Sequence, residues 1–223
     1  MSTRVIPLFP LKIVLFPGML LPLRIFEPRY RLMVQRCLES DGTFGVSLIQ
    51  EGEEVGGGAI PSLTGTLAEI SKLERLDDGE LMLLCVGLRR FRIERLVEGE
   101  PYPQAEVAVL DEGDPADPVP EALLTEASTN LEAYLAGLSS LTTLSIAMPH
   151  GALSSIDLSY LMAATLQVER GKKQAILETP DVIERLQMLV GLFRAENERM
   201  EEFLAEARQH GDIYYRGRRL SLN

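Results

Sequence analysis

The chain contains 223 residues, of which 46% are hydrophobic and 25% are charged, and its formal net charge is −11. This composition is typical of a folded globular protein and excludes an intrinsically disordered chain. The negative charge argues against nucleic-acid binding, and the most apolar stretch, Ile13–Leu23, is too short and too interrupted by proline and glycine to span a bilayer. We therefore expect neither nucleic acid nor a membrane as a partner.

The first half of the chain alternates short apolar runs with turn signals, which predicts β-strands. The predicted strands are Met19–Ile25, Phe44–Gln50, Leu63–Ile70, Leu81–Val86, Leu88–Leu96 and Ala105–Leu110. Asp77-Asp78-Gly79 separates two of these runs and is typical of a hairpin turn, because aspartate and glycine tolerate positive φ. Six strands at this spacing predict an antiparallel barrel or sandwich.

One helix is predicted between the first two strands, from about residue 28 to about residue 40. Pro28 suits its first turn, where the missing N–H group has no intrahelical partner to lose. At about 100° per residue, one side of this helix gathers the apolar residues Tyr30, Met33, Val34, Cys37 and Leu38. Leu32 falls on the polar side, where it could meet a second layer of protein or a partner.

The spacing of apolar residues changes after the proline-rich segment 111–120, which is interpreted as a linker. Beyond it, apolar residues recur at helical spacing within Leu123–Leu135 and Leu158–Leu166. Thr179 is predicted to cap a long helix that begins at Pro180 and extends to about Gln209. The predicted α+β organisation is a β-rich subdomain over residues 1–115, a helical bundle over residues 116–210 and a tail over residues 211–223.

No cluster in the sequence predicts catalysis, a cofactor or a metal site. His150 and His210 have no second ligand at metal-binding spacing, and the serine pairs have no base close to them in the sequence. Cys37 and Cys85 stand alone in apolar patterns, which indicates buried thiols in a reducing, cytoplasmic environment.

A polar cluster at the entrance of the predicted helix, preceded by apolar residues, is a candidate peptide-binding site. Its members are Phe16, Met19, Leu20, Glu27, Arg29, Arg31 and Gln35. An apolar centre bordered by arginine is typical of protein interfaces. The alternative is a solvated surface that serves only solubility.

Several motifs, taken in order, resemble the N-terminal substrate-binding domain of Lon proteases. They are Ile6–Leu23, Ile25–Arg31, Gly65–Ile70, Asp78-Gly79, Gly87–Ile93, Pro101–Val107, Leu158–Ala164 and Lys173–Leu186. The second of them is similar to the form found in stand-alone bacterial members. Together the motifs extend over about residues 4–200, which is nearly the whole chain.

The resemblance implies a β pseudobarrel related to PUA-like folds, with one inserted helix, followed by a C-terminal helical bundle. It also implies recognition of unfolded or tagged client protein segments, so we expect a protein-binding module that acts as an adaptor or holdase in protein quality control. The chain departs from full-length Lon by ending before the ATPase and peptidase parts, and Gly171-Lys172 is followed by Lys173 rather than by the serine or threonine of a phosphate-binding loop. We therefore expect no enzyme activity. The PUA-like architecture leaves RNA binding as the alternative, against which the net charge counts.

Overall fold

The computed structural model describes residues 3–77, 79–112, 118–141 and 153–209, with side chains described up to residue 206. Within these ranges the chain forms six strands and five helices, which confirms the α+β class. In chain order they are β1 (Thr3–Leu11), β2 (Leu20–Ile25), α1 (Pro28–Leu38), β3 (Thr43–Glu51), β4 (Ile60–Arg75), β5 (Leu81–Val97), β6 (Gln104–Val109), α2 (Glu121–Leu141), α3 (Ser155–Thr165), α4 (Arg170–Glu178) and α5 (Val182–Gln209).

The six strands form one sheet in the order β2-β5-β4-β3-β1-β6. Because β6 also pairs with β5, five of the strands make a closed circuit, and β2 stands outside it with β5 as its neighbour. All pairings are antiparallel except that of β1 with β3, where Leu8 lies beside Gly45. The expectation of a wholly antiparallel sheet is wrong for this pair. Its connection through β2 and α1 is long enough for the crossover that parallel strands require.

Two strands differ from the sequence prediction. The sequence prediction has no strand at the position of β1. This strand carries Pro7 and Pro10, and proline argues against a strand because it donates no backbone hydrogen bond. β5 is one continuous strand rather than two, and Gly87 lies in its interior. The predicted turn joins β4 to β5, with Leu76 N–H donating to the Glu80 carbonyl at 2.9 Å and with Gly79 at φ +79°. Asp78 lies outside the described residues.

Helix α1 begins at Pro28 and packs one face into the strand core, as predicted. Tyr30, Met33, Val34 and Cys37 are buried together with strand residues, and Leu32 is partly buried against the same core. Leu38, which the periodicity placed on the apolar face, is 48% exposed. It is the last residue of the helix, so the core no longer covers it.

The chain forms two compact units. The first contains the six strands with α1, α3 and α4, and the second contains α2 and α5 from Leu186 onward. In the second unit, the ring centroids of Tyr134 and Phe193 lie 5.1 Å apart, edge to face. The predicted division into a β-rich subdomain over residues 1–115 and a helical bundle over residues 116–210 stays a prediction, and the tail over residues 211–223 lies outside the described residues.

The long helix α5 is capped differently from the prediction. Thr179 ends α4, where its N–H group donates to the Ala175 carbonyl at 3.1 Å. The side chain of Asp181 instead accepts from the Glu184 N–H group at 2.8 Å, which makes Asp181 the residue that caps α5. Pro180 separates the two helices because its ring disfavours helical backbone in the residue before it. Among the described helices, none is long and apolar enough to cross a membrane.

A buried polar cluster lies in the first unit, between β5 and helices α3 and α4. Arg90 donates through Nε and Nη2 to the carboxylate of Glu112, at 2.5 and 3.1 Å, and the Tyr160 hydroxyl donates to the same carboxylate at 2.6 Å. Arg185 stacks over the Tyr160 ring at 4.3 Å and donates to the Thr179 carbonyl at 2.9 Å. Burial raises the pKa of Tyr160, so its hydroxyl stays protonated and can donate. The cluster fixes α3 and α4 to the strands.

Candidate peptide-binding surfaces

The outer face of β2 and β5 carries apolar side chains, of which Leu20, Pro22 and Met82 are exposed and Leu84 and Val86 are half-buried. Direct cross-strand neighbours are Leu20 with Val86 and Pro22 with Leu84, and Met82 follows on the same face of β5. Leu20 is 58% exposed and Met82 is 36% exposed, whereas the alternate residues of both strands turn into the core. We call these five residues the outer strip.

Charged residues border the outer strip on both sides. Arg24, the neighbour of Met82 on β2, pairs with Glu80 at 2.5 Å. On β4, Lys72 and Glu74 lie beside Leu84 and Met82. An apolar centre with a mixed-charge rim is the usual composition of a protein-binding surface.

β2 is an edge strand, and this position determines which kind of partner the outer strip can bind. Among the described strands, β2 pairs only with β5, so its other edge has no strand neighbour. Pro22 has no N–H group to donate there, and proline on an edge strand opposes the addition of another strand. The outer strip is therefore suited to binding apolar side chains more than to extending the sheet.

A groove lies on the opposite side of the same strands, between α1 and the β4–β5 hairpin, with a volume of about 330 Å³. It is lined mainly by leucine and arginine, with Gln35 beside them. The lining residues on which the argument below depends are Leu32, Leu38, Leu73, Leu81, Arg31 and Arg75. Arg31 Nη1 donates to the Gly79 carbonyl at 3.1 Å, which ties the helix to the hairpin at one end of the groove.

Glu27 and Arg29 form a pair of their own at the start of α1. Arg29 Nε and Nη2 each lie 3.0 Å from Glu27 Oε2, and both side chains are mostly buried, at 19% and 17% exposure for Arg29 and Glu27. The Arg29 guanidinium also lies over the Tyr30 ring at 4.5 Å from its centroid. These contacts give Arg29 a structural role, because its charge is already matched.

The seven residues predicted as one binding site lie in five places. Leu20 belongs to the outer strip, Arg31 and Gln35 line the groove, and Glu27 and Arg29 pair with each other. Met19 is partly buried against the strand core. Phe16 is fully buried at 0% exposure, with its ring 6.4 Å from that of Tyr160, so it cannot belong to an exposed surface. The structure therefore does not bring the seven residues together on one surface, and their role in peptide binding stays a prediction.

The sequence prediction also missed residues of both surfaces. Pro22, Met82, Leu84 and Val86 complete the outer strip, and Leu73 and Arg75 are among the further residues that line the groove. A signal for the strip is present in Leu81–Val86, which is apolar at every position. Such a strand presents apolar side chains to both faces, and only one of these faces meets the core.

Within the described ranges, no three side chains of histidine, cysteine, aspartate or glutamate come together in a group that could hold a metal ion. His150 and His210 lie outside those ranges. Both cysteines are free and buried, and burial raises the pKa of each thiol to about 12. At neutral pH they are protonated packing residues, not nucleophiles.

The family, the similar sequences and the similar structures found by comparison all point to the same domain of Lon proteases. The family described as the ATP-dependent protease La (LON) substrate-binding domain matches residues 5–194. Similar proteins include the Lon protease of Roseiflexus castenholzii, 34% identical over 204 residues, and that of Cytophaga hutchinsonii, 28% identical over 207 residues. These alignments cover 87% and 88% of this chain but only 24% and 25% of the relatives. The chain therefore spans about a quarter of the length of the curated relatives it matches.

Two solved structures share the fold. The Lon N-terminal domain protein from Xanthomonas campestris has a TM-score of 0.64 and 27% identity, and the alignment covers 84% of this chain and 98% of that chain. The N-terminal domain of a Mycobacterium avium complex Lon protease has a TM-score of 0.66 at 20% identity, with 86% and 98% covered. What is matched is therefore a substrate-binding domain.

Proposed function

Because this chain belongs to the family of the LON substrate-binding domain, we propose that it is a non-catalytic module that binds apolar segments of unfolded or client proteins. Within this proposal it acts in the cytoplasm as an adaptor or holdase. The proposal takes the closed circuit of five strands as the pseudobarrel, and the C-terminal helices as the bundle, that the family resemblance implies. The single observation that carries the proposal is the exposed apolar strip on the outer face of β2 and β5.

The outer strip supports binding for an energetic reason. Leu20 and Met82 are exposed in the free protein, so a client that covers them removes apolar surface from water, at about 25 cal/mol per Å². Contiguous exposed apolar surface with a charged rim is a feature of interaction sites on soluble proteins. The charged rim of Arg24, Glu80, Lys72 and Glu74 limits the site to the strip. This mixed border and the net charge of −11 do not favour the RNA-binding alternative.

Replacing Leu20 and Met82 together by serine is expected to weaken client capture by about ten- to hundredfold, since truncation of a central anchor commonly costs about 1–3 kcal/mol of binding free energy. Neither side chain lies in the buried core, so the melting temperature should change little. Binding is measured by fluorescence anisotropy with a labelled, permanently unfolded protein such as reduced and carboxymethylated lactalbumin.

The matched control is the double replacement of Leu63 and Leu96 by serine. These leucines, at 56% and 55%, are about as exposed as Leu20 and more exposed than Met82, but they lie outside the strip. We expect this variant to bind the unfolded protein as the unchanged chain does. Equal losses in the two variants would mean that capture is non-specific, and no loss in either would remove the outer strip as the binding surface.

The proposal also excludes catalysis by this chain. The purified protein is expected neither to hydrolyse ATP nor to cleave casein, because both cysteines are buried and the sequence has no phosphate-binding loop. ATP turnover is followed by phosphate release and proteolysis by gel electrophoresis. Activity that copurifies through several columns and disappears on a single substitution in this chain would contradict the prediction.

A further inference from the structure

The groove between α1 and the β4–β5 hairpin contains two arginines that have no carboxylate partner among the described residues. Among the described residues, neither Arg31 nor Arg75 has an acidic oxygen within ion-pair distance, and the hydrogen bond recorded for Arg31 goes to the neutral carbonyl of Gly79. By contrast, Arg95 and Arg36 elsewhere in the first unit pair with Glu106 and Glu100. In a chain of net charge −11, two unpaired guanidinium groups facing one groove are a distinctive feature.

We propose that this groove is a second binding site, which takes a protein segment with a leucine-type anchor next to an acidic side chain. The site goes beyond the apolar binding proposed for the outer strip, because it lies on the other side of the strands and selects for negative charge. Its ligand is thus distinguished from a general unfolded segment by one chemical group, the carboxylate.

The apolar part of the groove accommodates the anchor. Leu32 and Leu73 are partly buried against the strand core, and Leu38 at the rim is 48% exposed. A volume of about 330 Å³ lies at the lower end of the range for ligand pockets, which suits an anchor side chain rather than an extended chain. Contact with an anchor would remove the exposed part of Leu38 from water.

The charged part of the groove selects the carboxylate. A guanidinium group offers five N–H donors in a planar fork, and Arg31 uses one of its nitrogens on Gly79, which leaves donors for a ligand. Two like charges facing one groove repel each other, and a carboxylate between them relieves that repulsion while it accepts charge-assisted hydrogen bonds. Gln35 at the groove is already occupied, because its amide donates to Glu39 at 3.0 Å.

The test uses three amidated, fluorescein-labelled peptides that differ at four central positions between Gly-Ser flanks. Their centres are Asp-Leu-Leu-Asp, Asn-Leu-Leu-Asn and Asp-Ser-Ser-Asp. We expect the full chain to bind the first peptide about tenfold more tightly than either of the others, because the second lacks the carboxylates and the third lacks the anchor. Replacing Arg31 and Arg75 by glutamine should remove this preference.

Two variants make the result specific to the groove. Arg92→Gln with Lys172→Gln removes two positive charges from exposed positions outside the groove, and it should change the affinity less than about twofold. Leu38→Glu places a negative charge at the exposed rim, so it should weaken binding of the acidic peptide about tenfold without a change in folding. Melting curves of all variants establish that the loss is one of binding.

Equal affinity for the aspartate and asparagine peptides would overturn the proposal. So would unchanged binding after Arg31→Gln with Arg75→Gln. The outer-strip variant, Leu20→Ser with Met82→Ser, separates the two sites. If that variant loses the acidic peptide and the groove variants keep it, the peptide binds the strip, and the groove proposal fails while the proposed function stands.

Discussion

Replacing Arg90 by alanine is expected to lower the free energy of unfolding by about 3–5 kcal/mol, the usual cost of leaving a buried charge without its partner. The Arg90 side chain is only 2% exposed and holds three groups at once. It donates to Glu112 at 2.5 Å, to the Leu177 carbonyl at 2.7 Å and to the Thr179 carbonyl at 3.1 Å. In the variant, the Glu112 carboxylate, at 17% exposure, loses its cation.

The two carbonyl contacts add to this loss. Leu177 and Thr179 lie at the C-terminal end of α4, where backbone carbonyls have no partner within the helix. Arg185 still donates to Thr179 at 2.9 Å, so the Leu177 carbonyl loses the side-chain donor that it has in the unchanged protein. An unsatisfied buried acceptor costs about 1–3 kcal/mol.

Urea denaturation followed by circular dichroism measures the effect, and Arg89→Ala is the matched control. Arg89 is the preceding residue of the same strand, and its side chain is 54% exposed in a pair with Asp111 at 3.4 Å. Exposed pairs contribute about 0–1 kcal/mol, so this variant should unfold close to the unchanged protein. Equal midpoints for the two variants would show that the buried cluster does not stabilise α3 and α4 on the strands.

The cluster around Arg90 also explains which part of the fold the sequence could predict. Strands and helix α1 follow from local periodicity, and most of them lie where it placed them. Arg90 and Leu177 are 87 positions apart, and Gln174 donates to the Thr64 carbonyl from 110 positions away. A side chain that bonds to a distant backbone carbonyl leaves no period in the sequence. The association of α3 and α4 with the strands was therefore not predictable.

The candidate surfaces were also predictable only where they depend on local sequence and not on contacts between distant residues. Leu20 could be predicted as exposed because the stretch before α1 has more apolar residues than one strand face can bury. Phe16, four residues earlier, has the same character but is fully buried, since Val14, Leu15 and Phe16 lie in a non-strand segment that turns into the core. The groove required the pairing of α1 with the β4–β5 hairpin, which brings Arg31 and Arg75 to one cavity. The spacing of residues in the sequence does not predict that α1 packs beside this hairpin.

Replacing Gly87 by alanine is expected to lower the free energy of unfolding by about 2–3 kcal/mol. Gly87 lies within β5 and its φ is not positive, so the constraint is space and not backbone conformation. A Cβ atom there would lie 2.2 Å from the carbonyl oxygen of Phe16, closer than any real contact. The obstacle is backbone, which cannot rotate away as a side chain can.

The displaced segment is the one that leads into the outer strip. Gly87 N–H donates to the Met19 carbonyl at 2.9 Å, and the Gly87 carbonyl accepts from Gly18 N–H at 2.8 Å. Leu20 begins β2 directly afterwards. Moving Phe16 away from Gly87 therefore strains both bonds and the start of β2, so Gly87→Ala should also weaken capture of an unfolded client. Thermal and urea unfolding measure the first effect, and anisotropy below the melting temperature measures the second.

Gly171→Ala is the control, because it makes the same chemical change where nothing lies within 4 Å of the added Cβ atom. Gly171 lies in α4 with ordinary helical backbone, and alanine restricts the unfolded chain more than glycine does. We expect this variant to be more stable than the unchanged protein by about 0.4–1 kcal/mol. If Gly87→Ala lowers the free energy of unfolding and Gly171→Ala raises it, the close approach of Phe16 to Gly87 is the cause of the destabilisation. A Gly87→Ala variant as stable as the unchanged protein would mean that the segment before β2 moves at no cost, and the outer strip would then lack the rigid support that the strand pairing indicates.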